Sequence, residues 1–203
     1  MKKILAFVLT LSCGVISSCN SQSMNVLITS ESIGPVNLGD SMDNLRKILP
    51  TSEYNYKAEE YMVDAYGCII SNKKTGEELL IVGLDEETYQ TCEGTINLIR
   101  TSNKIFKTAE NIGPGSLIAD AETKYGKASL TYHTENESRE GVSFEKSLNN
   151  AWFIPSPPDQ NDNFAGIYTP TMYKDENGEE YEDSLHETSS YKQGAYIDTI
   201  SID

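Results

Sequence analysis

The chain of 203 residues has few of the residues on which common enzyme chemistries depend. It contains two histidines, His133 and His186, and no GxSxG segment, so the pattern of a Ser-His-Asp hydrolase is missing. The phosphate-cradling patterns GxxxxGKS, GxxxxGKT and GxGxxG are absent as well. We therefore predict that the protein is not an enzyme and uses no cofactor. A hydrolase built on His133 or on clustered acids is the least favoured alternative.

Positive charge is also scarce, with 16 Lys and Arg residues against 31 Asp and Glu and a formal net charge of −15. Such a chain repels the phosphates of nucleic acid, so we expect no nucleic-acid partner. The acids are spread along the chain, with a local excess at 175–183. This distribution is typical of a solvated surface. Binding of a basic partner or of calcium is the alternative.

Long apolar runs are lacking after the N-terminus, where Lys2 and Lys3 precede the short apolar run 4–11. A bilayer span needs roughly 20 apolar residues, so this start is typical of a signal peptide. The segment Ile16-Ser17-Ser18-Cys19 resembles the bacterial lipobox. The resemblance implies cleavage after residue 18, a diacylglycerol on the Cys19 thiol, and a lipidated tether at 19–24. Cys13 matches the lipobox less well, and an ordinary secretory leader is the alternative.

Two further cysteines, Cys68 and Cys92, lie in strand-like segments of the exported part. An oxidising compartment favours a disulfide between them, which would contribute about 2–4 kcal/mol. A pair of buried thiols is the alternative. Neither cysteine belongs to a CxxC pair and no histidine is near, so we predict no metal centre.

A short motif occurs twice, at 38–50 and at 114–126. Gly39 aligns with Gly115, and Asp40 aligns with Ser116, two side chains that we expect to cap the helix that follows. The apolar positions also coincide and predict one buried helix face in each copy. These positions are Met42, Leu45 and Leu49 in the first copy and Ile118, Ala121 and Tyr125 in the second.

Strand-like segments follow each motif, at 61–71, 78–84 and 94–101, and then at 129–134, 141–146, 151–154, 166–169 and 194–202. The closing segments 94–99 and 195–200 resemble each other. We predict an α+β fold of two fused repeats, each a short helix followed by an antiparallel β-sheet. The repeats cover about 25–103 and about 104–203 of a single globular domain at 25–203. Chance similarity between degenerate patterns is the alternative.

The second copy carries an insertion at 155–183. Its Pro-rich start predicts a loop, and Asn177-Gly178 predicts a hairpin. The acids and amides at 159–163 resemble the start of a calcium loop. Phe164 and Pro170 replace the Gly and Glu that an EF-hand needs at its sixth and twelfth positions, so that motif fails.

Tyrosines are frequent at 54–66, and the single tryptophan lies at 152. We predict a binding surface that includes Tyr54, Tyr56, Tyr61 and Trp152, because such side chains anchor protein partners or stack on sugars. Packing within the core is the alternative.

Ile33-Gly34-Pro35, followed by Gly39 and a short helix, and the second motif with Gly113-Pro114-Gly115 resemble a family of outer-membrane lipoproteins whose domain has no assigned function. The helix-then-sheet unit is more loosely similar to the β-lactamase-inhibitor-like fold. The resemblance implies a non-catalytic envelope protein, lipid-anchored on the periplasmic or surface side. It would act through protein contacts, in envelope assembly or as an inhibitor. A glycan- or calcium-binding surface lipoprotein is the alternative.

Overall fold

The computed structural model describes residues 24–62, 65–135, 139–170 and 172–203, without the side chains of Tyr61, Met62 and Tyr181. The expected leader at 1–18, Cys19 and the tether up to residue 23 lie outside the described residues. The described chain is α+β and dominated by one antiparallel sheet of nine strands. None of the helices in these ranges is long and apolar enough to cross a membrane.

Two helices and a series of short strands follow one another along the chain. The elements are β1 (Ser32–Ile33), β2 (Val36–Asn37), α1 (Met42–Ile48), β3 (Tyr54–Met62), β4 (Ala65–Asn72), β5 (Glu78–Gly83), a 3-10 turn (Tyr89–Thr91), β6 (Leu98–Thr101), α2 (Ile118–Tyr125), β7 (Ala128–His133), β8 (Glu140–Phe144), β9 (Ala151–Ser156), β10 (Met172–Lys174), β11 (Glu180–Glu182), β12 (Leu185–Thr188) and β13 (Tyr196–Ile202). The large sheet has the order β12-β7-β8-β9-β13-β6-β5-β4-β3, while β1–β2 and β10–β11 form separate hairpins.

Most predicted strands are present with shifted ends, and the hairpin expected at Asn177-Gly178 is confirmed by the pairing of β10 with β11. The strand expected at 166–169 is wrong, because there the described residues form only an isolated bridge between Gly166 and Tyr191. The start of β3 and all of β12 were not expected as strands. Both are edge strands. In β12 the polar His186 is buried and the apolar Leu185 is 51% exposed, which reverses the usual alternation of apolar and polar residues.

The two helices bury the predicted faces, but the expected caps are wrong. The Ser41 hydroxyl accepts the Asn44 N–H of α1, whereas Asp40 accepts the backbone and side-chain N–H groups of Asn37. Ser116 accepts the Gly113 N–H and leaves α2 without a side-chain cap. Neighbouring strand segments supply part of the missing partners. The first helical amides, at Met42 and Ile118, donate to the carbonyls of Gly94 and Ala195.

One face of the sheet carries the core. Ile70, Leu80, Ile99 and Ile200 are fully buried there beside the inner faces of both helices. The N-terminal segment and the connection between β6 and α2 join this layer, where Ile28 donates its N–H to the Lys107 carbonyl. We call this side the helix face and the other side, which neither helix covers, the open face.

Gly34 is a position where the helix layer tolerates no side chain. Its φ is +61°, and an added Cβ would lie 2.4 Å from the buried Phe106 ring and 2.9 Å from the Asn25 carbonyl oxygen. We expect Gly34→Ala to lower the free energy of unfolding by more than about 3 kcal/mol, since strain and overpacking add. Gly76→Ala is the control, because Gly76 has a φ of +73° and open space around it. It should cost only about 1 kcal/mol in urea unfolding. Equal losses for the two variants would contradict this packing.

Candidate functional site

A continuous row of side chains crosses the open face through five neighbouring strands. Directly paired residues on adjacent strands point to the same face. Ile69 pairs with Ile81, which pairs with Arg100; Arg100 pairs with Ser201, which pairs with Trp152. We call these five residues the open-face row. It links the isoleucines of β4 and β5 to Trp152 of β9 through Arg100 and Ser201.

Trp152 is the most exposed large side chain of the row, with 63% of its surface accessible. Its neighbour Phe153 points to the helix face and is 1% exposed, as the alternation of β9 requires. Leu98 and Ile154 are half-buried on the open face beside the row. The exposed indole of Trp152 therefore lies on the same face as these apolar side chains, and contact with a partner molecule would remove it from water.

The predicted surface of Tyr54, Tyr56, Tyr61 and Trp152 does not form. Tyr56 pairs with Ile70, whose side chain is buried in the core, so Tyr54 and Tyr56 point to the helix face. Four strands separate β3 from β9, and Trp152 points to the opposite face. Tyr61 lies in β3, and its side chain is outside the described residues. The prediction of a shared surface is therefore wrong for Tyr54 and Tyr56, whereas Trp152 is a surface residue as predicted.

Tyr54 and Tyr56 line a shallow groove of about 340 Å³ beside β3. Arg46 and Lys73 are among its described lining residues, none of which is an acid, and Arg46 forms an ion pair with the exposed Asp43 at 3.5 Å. The Arg46 guanidinium carbon lies 5.3 Å from the centroid of the Tyr56 ring, and the Tyr56 hydroxyl donates to the Leu49 carbonyl at 2.6 Å. Burial raises the pKa of Tyr56 to about 12, against the opposing effect of Arg46. The groove thus carries two cationic side chains on an acidic protein, one of them already paired with an acid.

Cys68 and Cys92 are joined in a disulfide under this groove. Cys68 lies in β4 as expected, but Cys92 does not lie in a strand. It follows the 3-10 turn with a φ of +52°, and its carbonyl accepts an Arg46 N–H at 2.6 Å. The bond and this contact together fasten the turn to the sheet and to α1, and so shape the groove.

The two histidines lie on neighbouring strands but on opposite faces, because His133 pairs with Leu185 and His186 pairs with Tyr132. His133 is half-buried. His186 is buried although acids flank it in the sequence: it is 3% exposed and stacks on the Tyr132 ring at 4.4 Å. Its Nε2 has no hydrogen-bond partner among the described residues, and the Glu182 Oε1 atom lies 3.5 Å away.

An aromatic cluster fixes the insertion to the helix face beside the histidine. Phe164 also stacks on Tyr132, at 4.3 Å, and Tyr168 meets the same ring edge-on. The Glu140 carboxylate accepts the Gly166 N–H and the Tyr168 hydroxyl, as well as one further backbone N–H. Burial, and then this hydrogen bond to Glu140, raises the pKa of Tyr168. No pattern in the sequence indicates this cluster, because its members come from three distant segments.

The segment that resembled a calcium loop satisfies its own polar groups. Asp159 accepts the backbone and side-chain N–H groups of Asn161, and these bonds lower the pKa of Asp159. Asp162 forms an ion pair with Lys192 at 3.1 Å. Within the described ranges, no group of three or more His, Cys, Asp or Glu side chains is arranged to hold a metal ion.

The disulfide should contribute measurably to stability, because it closes a loop with a sequence separation of 24. We expect Cys68→Ala with Cys92→Ala to lower the free energy of unfolding by about 3 kcal/mol, as measured in urea. Wild type treated with a thiol reductant serves as the control and should lose a similar amount. An unchanged unfolding midpoint after complete reduction would contradict the assignment.

The described surface thus offers an apolar row on the open face and a cationic groove beside β3. The histidines and the aspartates of the insertion are held in separate local contacts. No family model, no curated protein and no solved structure matches this chain.

Proposed function

We propose that this chain is a non-catalytic lipoprotein of the bacterial cell envelope and that its open-face row binds a partner protein. The observation that carries the proposal is the 63% exposure of Trp152 on a sheet face that neither helix covers. Tryptophan is the residue type most enriched among the energetic anchors of protein interfaces. The two histidines point to opposite faces and do not converge on this surface.

The charge of the chain indicates what kind of partner fits. The formal net charge of −15 becomes −17 when Lys2 and Lys3 leave with the expected leader. Charge of one sign steers oppositely charged proteins toward the surface and speeds their association. The proposed partner is therefore a folded envelope protein of net positive charge. Its apolar patch would cover Trp152 and the two isoleucines of the open-face row, Ile69 and Ile81.

An anchor at Cys19 would turn the open face away from the membrane. Met24, the first described residue, packs against the same core as the two helices. The segment that follows it lies in the helix layer, as the Ile28–Lys107 hydrogen bond places it. The tether 19–24 spans at most about 20 Å when extended, so the helix face would lie toward the lipid. Trp152 would then point toward other envelope proteins.

We also propose that the domain at 25–203 is made of two repeats, about 25–103 and 104–203. One pair of equivalent hydrogen bonds and a shared backbone conformation support this. The N–H of Gly39 donates to the Ile96 carbonyl at 2.8 Å, and the N–H of Gly115 donates to the Ile197 carbonyl at 2.7 Å. Both glycines have a φ of +82°. In each case the glycine precedes a helix and donates to the closing segment, 94–99 or 195–200, of its own half.

The register where the halves meet has the symmetry that duplication would leave. Aligning Ile96 with Ile197 places Ile99 on Ile200 and Thr101 on Ile202. In the β6–β13 ladder Ile99 pairs with Ile202, and Thr101 pairs with Ile200. Exchanging the two halves therefore reproduces the same pairs. An approximate two-fold axis would pass through the pair of Arg100 and Ser201, which lies between them.

The anchor can be tested by mass and by fractionation. Intact wild-type protein should be heavier than residues 19–203 by its acyl groups and should sediment with membranes, because two or more chains anchor stably. Cys19→Ala should leave the precursor unprocessed or release the protein. Cys13→Ala is the matched control and should change neither the mass nor the fractionation. Wild type found soluble with an unmodified thiol at Cys19 would contradict the proposal.

The docking surface can be tested by a variant that removes the indole. We expect Trp152→Ala, expressed at the wild-type level in the envelope, to lose at least about tenfold of a co-purified basic protein. The measurement is quantitative mass spectrometry after crosslinking in cells.

Ile48→Ala is the matched control, because Ile48 is 47% exposed on α1, away from the open face. It should keep the partner. If Trp152→Ala and wild type yield the same amount of partner, the proposal that the open-face row binds this partner is contradicted. Loss of bound oligosaccharide or calcium from Trp152→Ala, with no protein lost, would favour the glycan- or calcium-binding alternative.

A further inference from the structure

The strand β3 ends the sheet with its outer side unpaired. It is nine residues long, and β4 is its only neighbour in the sheet. Among the described residues, no backbone hydrogen bond joins 55–60 to a segment other than β4. A long edge strand with unpaired N–H and C=O groups is a template for a further strand. At the opposite edge β12 has four residues.

We propose that β3 pairs antiparallel with β3 of a second copy of this chain, centred on Ala58. The sheet would then run without a break through both copies, related by a two-fold axis perpendicular to it. This inference is independent of the proposed partner on the open face. It concerns the edge of the sheet and a partner of identical sequence.

The side chains of β3 on the open face fit this register. With Ala58 opposite Ala58 of the second copy, Lys57 lies opposite Glu59 of the second copy, and the reverse pair forms by symmetry. Lys57 and Glu59 already form an ion pair within one chain. The dimer would therefore join two ion pairs into a cluster of four alternating charges. Oppositely charged residues directly across an antiparallel ladder stabilise the pairing.

The side chains on the helix face fit the same register. Tyr56 lies opposite Glu60 of the second copy, next to the groove that contains Arg46 and Lys73. The guanidinium of Arg46 lies over the Tyr56 ring. The carboxylate of Glu60 would therefore reach a groove whose described lining includes Lys73 and Arg46, the latter paired with the exposed Asp43 at 3.5 Å. Charge complementarity thus holds on both faces.

Other registers lose these contacts. In the dimer, two directly opposite residues of the two β3 strands must point to the same face of the sheet. Because side chains alternate between the faces along a strand, this requires the two-fold axis to pass beside a residue that is opposite its own copy. Centring on Lys57 or on Glu59 places like charges directly opposite each other. Centring on Tyr56 places Lys57 opposite Asn55 of the second copy, without an ion pair. A contact between β3 and β12 would be head-to-tail and would repeat without closing.

The dimer would place both open faces on one side and both N-terminal segments on the other. Two anchors would then hold one particle to the membrane. Two copies of the Trp152 surface would face away from it, so that a partner with two sites could bind both.

Engineered disulfides test the register in the full chain, expressed in the envelope. Lys57→Cys and Glu59→Cys carry different tags and are co-expressed. We expect a disulfide-linked heterodimer on a non-reducing gel, because these positions face each other across the axis. Neither residue pairs with Cys68, which faces Ala58 within the chain.

The matched control replaces Glu59→Cys by Asn55→Cys, on the same strand and face. It should give only the background seen with either cysteine variant alone. Equal crosslinking for the two combinations would overturn the register. A ladder of larger species, or a disulfide to a different protein, would overturn the two-fold dimer in favour of a filament or of another protein's strand.

Charge exchange tests the same pairs without cysteines. Lys57→Glu or Glu59→Lys alone should weaken association about tenfold, because each creates two like-charged pairs. The double variant, with both changes, should restore it, since opposite charges would again face each other across the axis. The measurement is the mass of the detergent-solubilised protein by analytical ultracentrifugation, with circular dichroism as the folding control. A monomeric wild type, or a double variant no better than the single ones, would overturn the proposal.

Discussion

The antiparallel pairing between β6 and β13 is the contact on which the rest of the structure depends. Three residue pairs join the strands that follow α1 to those that follow α2. On the helix face this contact is shielded from solvent, because Ile99, Ile200 and Ile202 are fully buried. On the open face it brings Arg100 beside Ser201, and so makes the open-face row continuous. Without this short ladder there would be two small sheets, each with an additional bare edge.

The nine-stranded sheet has two faces and two edges, and other parts of the chain cover them to different extents. Both helices, the N-terminal segment and the connection to α2 cover the helix face. The insertion supports one edge, where Glu140 binds its backbone and Tyr132 lies between two rings. The disulfide fastens a turn near the other edge. Neither helix covers the open face, and no described backbone segment pairs with the outer side of β3 at 55–60.

The open face and the outer edge of β3 differ in the charges that a binding partner would meet. The chain as a whole is strongly acidic and attracts basic proteins over a distance set by ionic strength. Arg46 and Lys73 supply positive charge beside β3, where Asp43 already pairs with Arg46 at 3.5 Å. Two copies of an acidic protein repel each other at long range, so the proposed dimer needs backbone hydrogen bonds and specific short-range pairs of opposite charge to hold the edges together. The proposed basic partner of the open face would need no such compensation, since the net charge attracts it.

Local sequence rules determined the elements whose signals come from near neighbours. The spacing of Met42, Leu45 and Leu49 predicted the inner face of α1, and Asn177-Gly178 predicted a hairpin, because helical periodicity and turn chemistry act within a few residues. Only the tertiary structure decided that His186 is buried and that Trp152 and Tyr56 point to opposite faces. Burial and facing depend on which distant strand lies alongside, and the β6–β13 register that sets this order leaves no mark in any short stretch of sequence.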